Sequence, residues 1–275
     1  MHKSLSDVLE IVVKTDPGMV RGHNEDAVFA NPHLGLAILA DGMGGYNAGE
    51  VASGMATTLL SADIEEGLAL KGAWELEPDG EPYANVLLRE RIATANSSIF
   101  HAAQSQPQYS GMGTTLVLGL FADDLLTVAH IGDSRLYRLR EGEFVQVTRD
   151  HSLLQEQIDS GMLTPEQARQ SMNKNLVTRA LGVDPEVTPE IRSYPVQAGD
   201  LFLFCSDGLN DMVEDEEIGM TLQMLSANLE LAANQLIQMA NDNGGRDNVS
   251  VILVKVKREF PAPKGWWSRF LAWLK

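Results

Sequence analysis

Four apolar runs in this 275-residue chain each meet an aspartate. Residues 34–40 (L-G-L-A-I-L-A) run into Asp41-Gly42, and 201–205 (L-F-L-F-C) into Ser206-Asp207-Gly208. Residues 125–131 (L-L-T-V-A-H-I) run into Gly132-Asp133-Ser134, and 249–254 follows Asp247-Asn248. A further acidic pair, Glu25-Asp26, stands just before 27–30. One Asp-Gly by itself is a turn signal. Runs this apolar are strands buried on both faces, and strands that share a sandwich can bring their terminal carboxylates together. Like charges within ~4–6 Å raise each other's pKa unless something positive sits among them. The six histidines (2, 23, 33, 101, 130, 151) are scattered, and no His or Cys pair has zinc spacing. All-carboxylate ligation selects hard cations, so Mg²⁺ or Mn²⁺ is expected over Zn²⁺.

The remaining pattern sets the fold class. Further strand runs fall at 8–15, 115–121, 135–140 and 144–148, and helical patterns at about 48–62, 84–104, 152–161, 165–172 and 227–242. Thr164-Pro165-Glu166-Gln167 reads as a helix start, with Thr164 as N-cap. Strands cluster, two helices follow, and strands cluster again, without regular strand–helix alternation. That order predicts an α+β fold with mainly antiparallel sheets covered by helices. Segment 149–195 has few strand signals and is expected to be an insertion over the strand body.

Charge and cysteine usage narrow the function. A net charge of −17 makes nucleic acid a poor partner. One cysteine, Cys205, allows no internal disulfide, and no signal-peptide pattern or membrane-length apolar run occurs, so a cytoplasmic setting is expected. Residues 257–275 are basic, carrying Lys257, Arg258, Lys264, Arg269 and Lys275 against Glu259. F-P-A-P-K-G (260–265) marks a linker there, which divides the chain into a body (1–257), a linker (258–265) and a tail (266–275). Arg21, on an extended V-R-G-H-N-E-D-A, shares a face with Glu25. It is either a bidentate clamp for a phosphoryl group or a surface ion pair.

Six motifs then occur in order: V-R-G-H-N-E-D-A (20–27), A-D-G-M-G-G (40–45), G-T-T (113–115), I-G-D-S-R (131–135), S-D-G-L-N-D (206–211) and G-G-R-D-N-V-S (244–250). Together they resemble the metal-dependent protein phosphatases of the protein phosphatase 2C family, in its bacterial form. The resemblance implies a central antiparallel β-sandwich flanked by helices on both faces, a four-layer α/β/β/α arrangement, with 149–195 as a flap. It implies a binuclear Mn²⁺ or Mg²⁺ centre at one end. Asp41 matches the bridging ligand, with the Gly42 carbonyl and Glu25 on one metal and Asp207 and Asp247 on the other. Asp133 and Asp211 match positions that, with Asp207, hold a third ion in many members. Asp26 matches the residue that orients metal-bound water, and Arg21 the phosphate-binding arginine.

The implied reaction is hydrolysis of phosphoserine or phosphothreonine in proteins by a metal-bridging hydroxide, without a phosphoenzyme. The expected partners are phosphorylated proteins, a Ser/Thr kinase and its substrates among them. Met43 departs from the animal members, which have a histidine there that is considered a general acid; Met cannot donate a proton. His151, in R-D-H-S, is a second choice for that role, against a plain helix-start residue. Cys205 in F-L-F-C-S reads as core. Two other readings compete: a phosphatase-fold regulatory or binding module, and a different metal hydrolase such as a phosphodiesterase or nuclease. The tail W-W-S-R-F-L-A-W-L-K (266–275) is amphipathic as a helix and would lie at a membrane interface or pack on the body or a partner.

Overall fold

Near-continuous apolar strands need cover on both faces, and the chain provides it with two antiparallel sheets stacked between helices. The computed structural model describes residues 5–45, 47–164, 167 and 176–260. In chain order the strands are β1 (Leu9–Asp16), β2 (Asp26–Asn31), β3 (Leu36–Met43), β4 (Gly113–Thr114), β5 (Leu116–Ala122), β6 (Leu125–Ile131), β7 (Arg135–Arg140), β8 (Glu143–Gln146), β9 (Glu190–Pro195), β10 (Leu201–Cys205) and β11 (Val249–Val256). The α-helices are α1 (Ala48–Leu70), α2 (Tyr83–Ser105), α3 (Leu153–Asp159), α4 (Asp207–Asn210), α5 (Asp215–Leu225) and α6 (Leu229–Asp242). One sheet has the order β1-β11-β10-β7-β8 and the other β2-β3-β5-β6-β9, with β4 paired to β3. Every strand pairing in them is antiparallel.

Three apolar clusters hold the layers together. Phe121, Phe202, Phe204, Leu39 and Ile252 fill the space between the sheets. Leu60, Ile64, Leu88 and Ile92 join α1 and α2 to the outer face of β3 and β5. Leu222, Leu229 and Leu236 join α5 and α6 to the other outer face. Every residue of β5 and β10 is therefore buried, which explains why these strands lack polar alternation. The α/β/β/α layering agrees with the sequence reading.

Four local features differ from the pattern expected of the sequence. The ladder of β3 does not stop at residue 40: Gly42 and Met43 pair with Thr114 and Gly113, so Asp41 lies inside a strand rather than in a turn. Helix α1 runs to Leu70, beyond the expected 62, because Leu60, Ile64 and Leu68 continue its buried stripe. Helix α5, over an acidic stretch, has no counterpart in the sequence reading. The last part of 149–195 is not flap: β9 pairs with β6, His130 opposite Glu190 and Ala129 opposite Ile191. At the other root of the insertion, His151 N–H donates to Gly132 O and Thr178 N–H to His151 O. Thr164 and Gln167 form the expected reciprocal cap, with Gln167 N–H on Thr164 Oγ1 at 3.3 Å and Thr164 N–H on Gln167 Oε1 at 2.9 Å. The rest of the expected helix at 165–172, and the tail at 266–275, lie outside the described residues. Among the described residues no helix is long and apolar enough to cross a membrane.

Helix α1 tapers toward one end of the sandwich: Ala48, Ala52 and Ala56 precede Leu60 and Ile64 on its buried stripe. Small side chains there let its first turn reach β3. A Cβ on Gly42 would lie 2.2 Å from Gly49 O and 2.6 Å from Glu25 O. Gly42→Ala is expected to lose about 1–3 kcal/mol of stability, as overpacking does. Urea unfolding measures it, and an unchanged midpoint would contradict this close approach.

Candidate active site

Asp26, Asp41, Asp133, Asp207 and Asp247 come from their separate strand ends to the end of the sandwich where α1 starts. Asp26 opens β2 and sits directly opposite Asp41 on β3. The Asp41 main chain is fixed on both sides. Its carbonyl accepts from Thr115 N–H at 2.8 Å and Thr114 Oγ1 at 2.9 Å, and its N–H donates to Thr115 Oγ1 at 3.1 Å. The Glu25 carbonyl accepts from Gly42 N–H at 3.1 Å and Ser53 Oγ at 2.6 Å, and its N–H donates to Asn248 Oδ1 at 2.7 Å. Asp207 is the first residue of α4, behind the N-cap Ser206. Asp133 follows Gly132, whose φ of +100° suits glycine in the turn between β6 and β7. Asp247 accepts from Asn248 N–H at 2.9 Å and from Arg21 Nη2 at 2.6 Å.

These residues surround a cavity of about 260 Å³ lined by Arg21, Glu25, Asp41, Gly42, Asp133, Asp207 and Asp247, with Met43, Gly44, Thr115 and Val177. Two of the expected residues do not line it. Asp26 is set back with its carboxyl against that of Asp41, and accepts from Ser206 Oγ at 2.8 Å. Asp211 acts on Asp133 and Asp207 through its charge.

The cavity is electrostatically costly as it stands. Burial first, then neighbouring carboxylates, push Asp41 and Asp207 well above the usual carboxylate range. Burial likewise lifts Asp26 to about 6, and burial with Asp150 lifts Asp133 to about 6. Arg21 is the one cationic side chain lining the cavity among the described residues. Two buried oxygens, Glu25 Oε1 and Asp26 Oδ1, have no hydrogen-bond partner. His23 Nε2 lies 3.6 Å from Glu25 Oε1, too far for a hydrogen bond. Unpartnered carboxylate oxygens in an all-oxygen donor set fit hard divalent cations. Gly49 preserves the room, since a Cβ there would lie 2.8 Å from Glu25 Oε1.

The side chains considered for acid or nucleophile roles lie elsewhere. Met43 occupies the cavity wall and carries no proton to give. His151 is not part of that wall. Its ring stacks on His130 at 4.7 Å, its Nδ1 accepts from Gly132 N–H at 3.2 Å, and Nε2 lies 3.9 Å from Glu190 Oε2. His130, His151 and Glu190 bring ligating atoms within 4.8 Å of one another. The Gly132 N–H nevertheless places the His151 proton on Nε2, where a metal would need the lone pair. Burial also lowers His151 to about 4, so the ring is a neutral element of the insertion's root. Cys205 is buried in β10 and its thiol is pushed up by burial, as a core residue. The supporting residues Ser53, Thr115, Ser206 and Asn248 had no role in the sequence reading. Three of them lie inside or beside the recognised motifs, but only their side-chain bonds reveal what they hold.

The family model described as protein phosphatase 2C matches residues 21–249. The serine/threonine protein phosphatase PstP of Mycobacterium tuberculosis is 41% identical over 249 residues, covering 90% of this chain and 45% of the relative, so the chain spans about half that protein's length. The serine/threonine phosphatase stp of Listeria monocytogenes is 40% identical over 245 residues, covering 88% of this chain and 94% of the relative. A solved structure of the PstP catalytic domain in complex with two manganese ions superposes with a TM-score of 0.77 at 40% identity, covering 90% of this chain and 98% of that one.

The raised carboxylate pKa values have a consequence for stability. A carboxylate raised in the fold is protonated there at pH values where the unfolded chain has already released its proton. Metal-free stability from Asp26 and Asp133 therefore falls as pH rises from about 4 through about 6. His151, lowered to about 4, works in the opposite direction over the same range, so the total is a poor readout. The difference in melting temperature between Mn²⁺ and EDTA isolates the acidic cluster. It is expected to be small near pH 5 and to widen through pH 6 to 7. Scanning fluorimetry checks this, and a pH-independent difference would contradict the site.

Proposed function

The chain belongs to the protein phosphatase 2C family, and from that premise we propose that it hydrolyses phosphoserine and phosphothreonine in proteins. The observation that carries the reading is the acidic cavity with Arg21 at its wall and two buried, unpartnered carboxylate oxygens. Glu25, Asp41 and the Gly42 carbonyl would hold one Mn²⁺ or Mg²⁺, and Asp41, Asp207 and Asp247 a second. Asp133 and Asp211, with Asp207, would hold a third. When bound, such ions supply Lewis acidity toward phosphoryl oxygens and lower the pKa of water toward neutral.

The protein's own groups do the rest. Arg21 spends one of the two N–H donors of Nη2 on Asp247 and has other guanidinium donors for the phosphoryl group. Asp26, set back beside Asp41 with Oδ1 unpartnered, would orient the attacking water. Thr115 and Ser53 keep Asp41 and Glu25 from turning away by holding their main chain. The half-exposed Arg21 keeps the mouth open to a protein side chain. A purely regulatory module would have lost carboxylates here, and each expected acidic position is filled.

The substrates are proposed to include a Ser/Thr kinase and its targets, and the setting to be cytoplasmic. Residues 266–275 would contact a membrane surface or a partner; their amphipathic, Trp-rich sequence supports this. Liposome flotation with and without residues 258–275 tests the membrane contact, and identical behaviour would remove it.

Activity is tested with a phosphothreonine peptide and an oligonucleotide under chelator control. Mn²⁺-dependent phosphate release from the peptide alone, abolished by EDTA, is the expected result. Asp207→Asn should lose nearly all turnover with unchanged circular dichroism. Arg21→Ala should cost on the order of 10²-fold in kcat/KM, as loss of one transition-state donor does. Full activity in Asp207→Asn would refute the metal assignment.

A further inference from the structure

Asn248 touches the segment 17–25, Asp247, Ser206 and the start of α4, although it carries no charge and does not line the cavity. It is 4% exposed. Its Oδ1 accepts from Glu25 N–H at 2.7 Å, and its Nδ2 donates to His23 O at 2.9 Å and Pro17 O at 3.0 Å. Both amide hydrogens and the carbonyl are thus spent on the main chain of residues 17–25. Asn248 N–H holds Asp247 Oδ1, and Asn248 O lies 3.4 Å from Ser206 Oγ. A Cβ on Gly208, next to Asp207, would lie 2.0 Å from Asn248 O, so α4 rests on the same residue.

We propose that Asn248 is a positioning residue that fixes the Glu25 half of the acidic centre, and the Arg21 loop, against the Asp207–Asp247 half. The inference rests on the metal-dependent reading above.

Residues 17–25 have no helix or strand of their own between β1 and β2. Their ends are tied by Gly18 N–H to Asp16 Oδ1, by Met19 and Val20 N–H to Gly245 O, and by Asn24 Nδ2 to Thr15 Oγ1. Between those ties, the bond from Asn248 Nδ2 to His23 O fixes the stretch that carries Arg21. Asn248 suits this task because it is both donor and acceptor. Aspartate would keep the bond from Glu25 N–H but turn its second oxygen toward two carbonyls. Serine would retain a polar group too short to span all three partners. A carboxylate ligand whose main chain is free to shift loses the pre-set spacing that two ions require, and support of this kind tunes affinity.

The test uses the full chain, stripped of metal and titrated with Mn²⁺ by calorimetry, alongside kinetics on a phosphothreonine peptide. Asn248→Asp and Asn248→Ser should bind Mn²⁺ roughly 10–100-fold more weakly, the usual loss when an outer support of a metal ligand is removed. KM for the peptide should rise as well, because the Arg21 loop is released. Leu236→Ala, a core truncation in α6 on the far side of its sheet, serves as the control. It should lower the melting temperature while leaving Mn²⁺ affinity and KM at wild-type values. Asn248 variants that lose melting temperature but keep wild-type Mn²⁺ affinity and KM would overturn the proposal. So would a Leu236→Ala variant with the same Mn²⁺ loss. A wild-type chain that binds no Mn²⁺ would instead refute the phosphatase reading, so the two failures are distinguishable.

Discussion

Repulsion between carboxylates buried side by side is the constraint around which this molecule is arranged. Asp41 and Asp207 are held where water is scarce and where other acids face them, so each is pushed toward its protonated form. Such a cluster opposes folding unless cations enter it. The frame around it is accordingly over-determined: the main chain of Asp41 is bound by two threonines and that of Glu25 by a serine and an asparagine, and the Asp26 carboxylate accepts from a serine. The surrounding sandwich supplies the apolar burial that offsets the cost.

Geometry at the site follows from side-chain size as much as from charge. The alanine stripe at the start of α1 and the contact of Gly42 with Gly49 let a helix terminus, a strand and an acidic loop meet within one small volume. On the opposite sheet, the near contact of Gly208 with the Asn248 carbonyl does the same for α4 and β11. Larger residues at either point would separate the two halves of the cavity.

Much of this was legible in the sequence, and the reasons are specific. A run such as L-F-L-F-C can be buried only between two layers, and an aspartate at its end can point only to one edge of the sandwich. The fold class and the convergence of Asp41, Asp133, Asp207 and Asp247 followed from that. What could not be read is what depends on pairing between distant segments. That β3 continues through Asp41 depends on β4, seventy residues away in sequence. That residues 190–195 belong to a sheet depends on the register with β6. His151 illustrates the same limit: a histidine at the start of the insertion was a second choice for proton chemistry, but its stacking on His130 and its bond from Gly132 N–H place it in the frame. Asn248 was invisible for the opposite reason, since an amide carries no chemistry until its partners are known.

Both roots of the insertion are pinned to the same strand, β6, and to the turn that follows it: one by the His151–Gly132 bond, the other by the β9 ladder. Between those roots Val177 lines the cavity and Leu181 pairs with Thr114, which holds the Asp41 carbonyl, so only the stretch between α3 and Val177 can lengthen, shorten or change character at a modest cost in chain entropy without transmitting strain to the acidic cluster. The acidic cluster is held by its anchors, whereas the outer part of the insertion is free to drift.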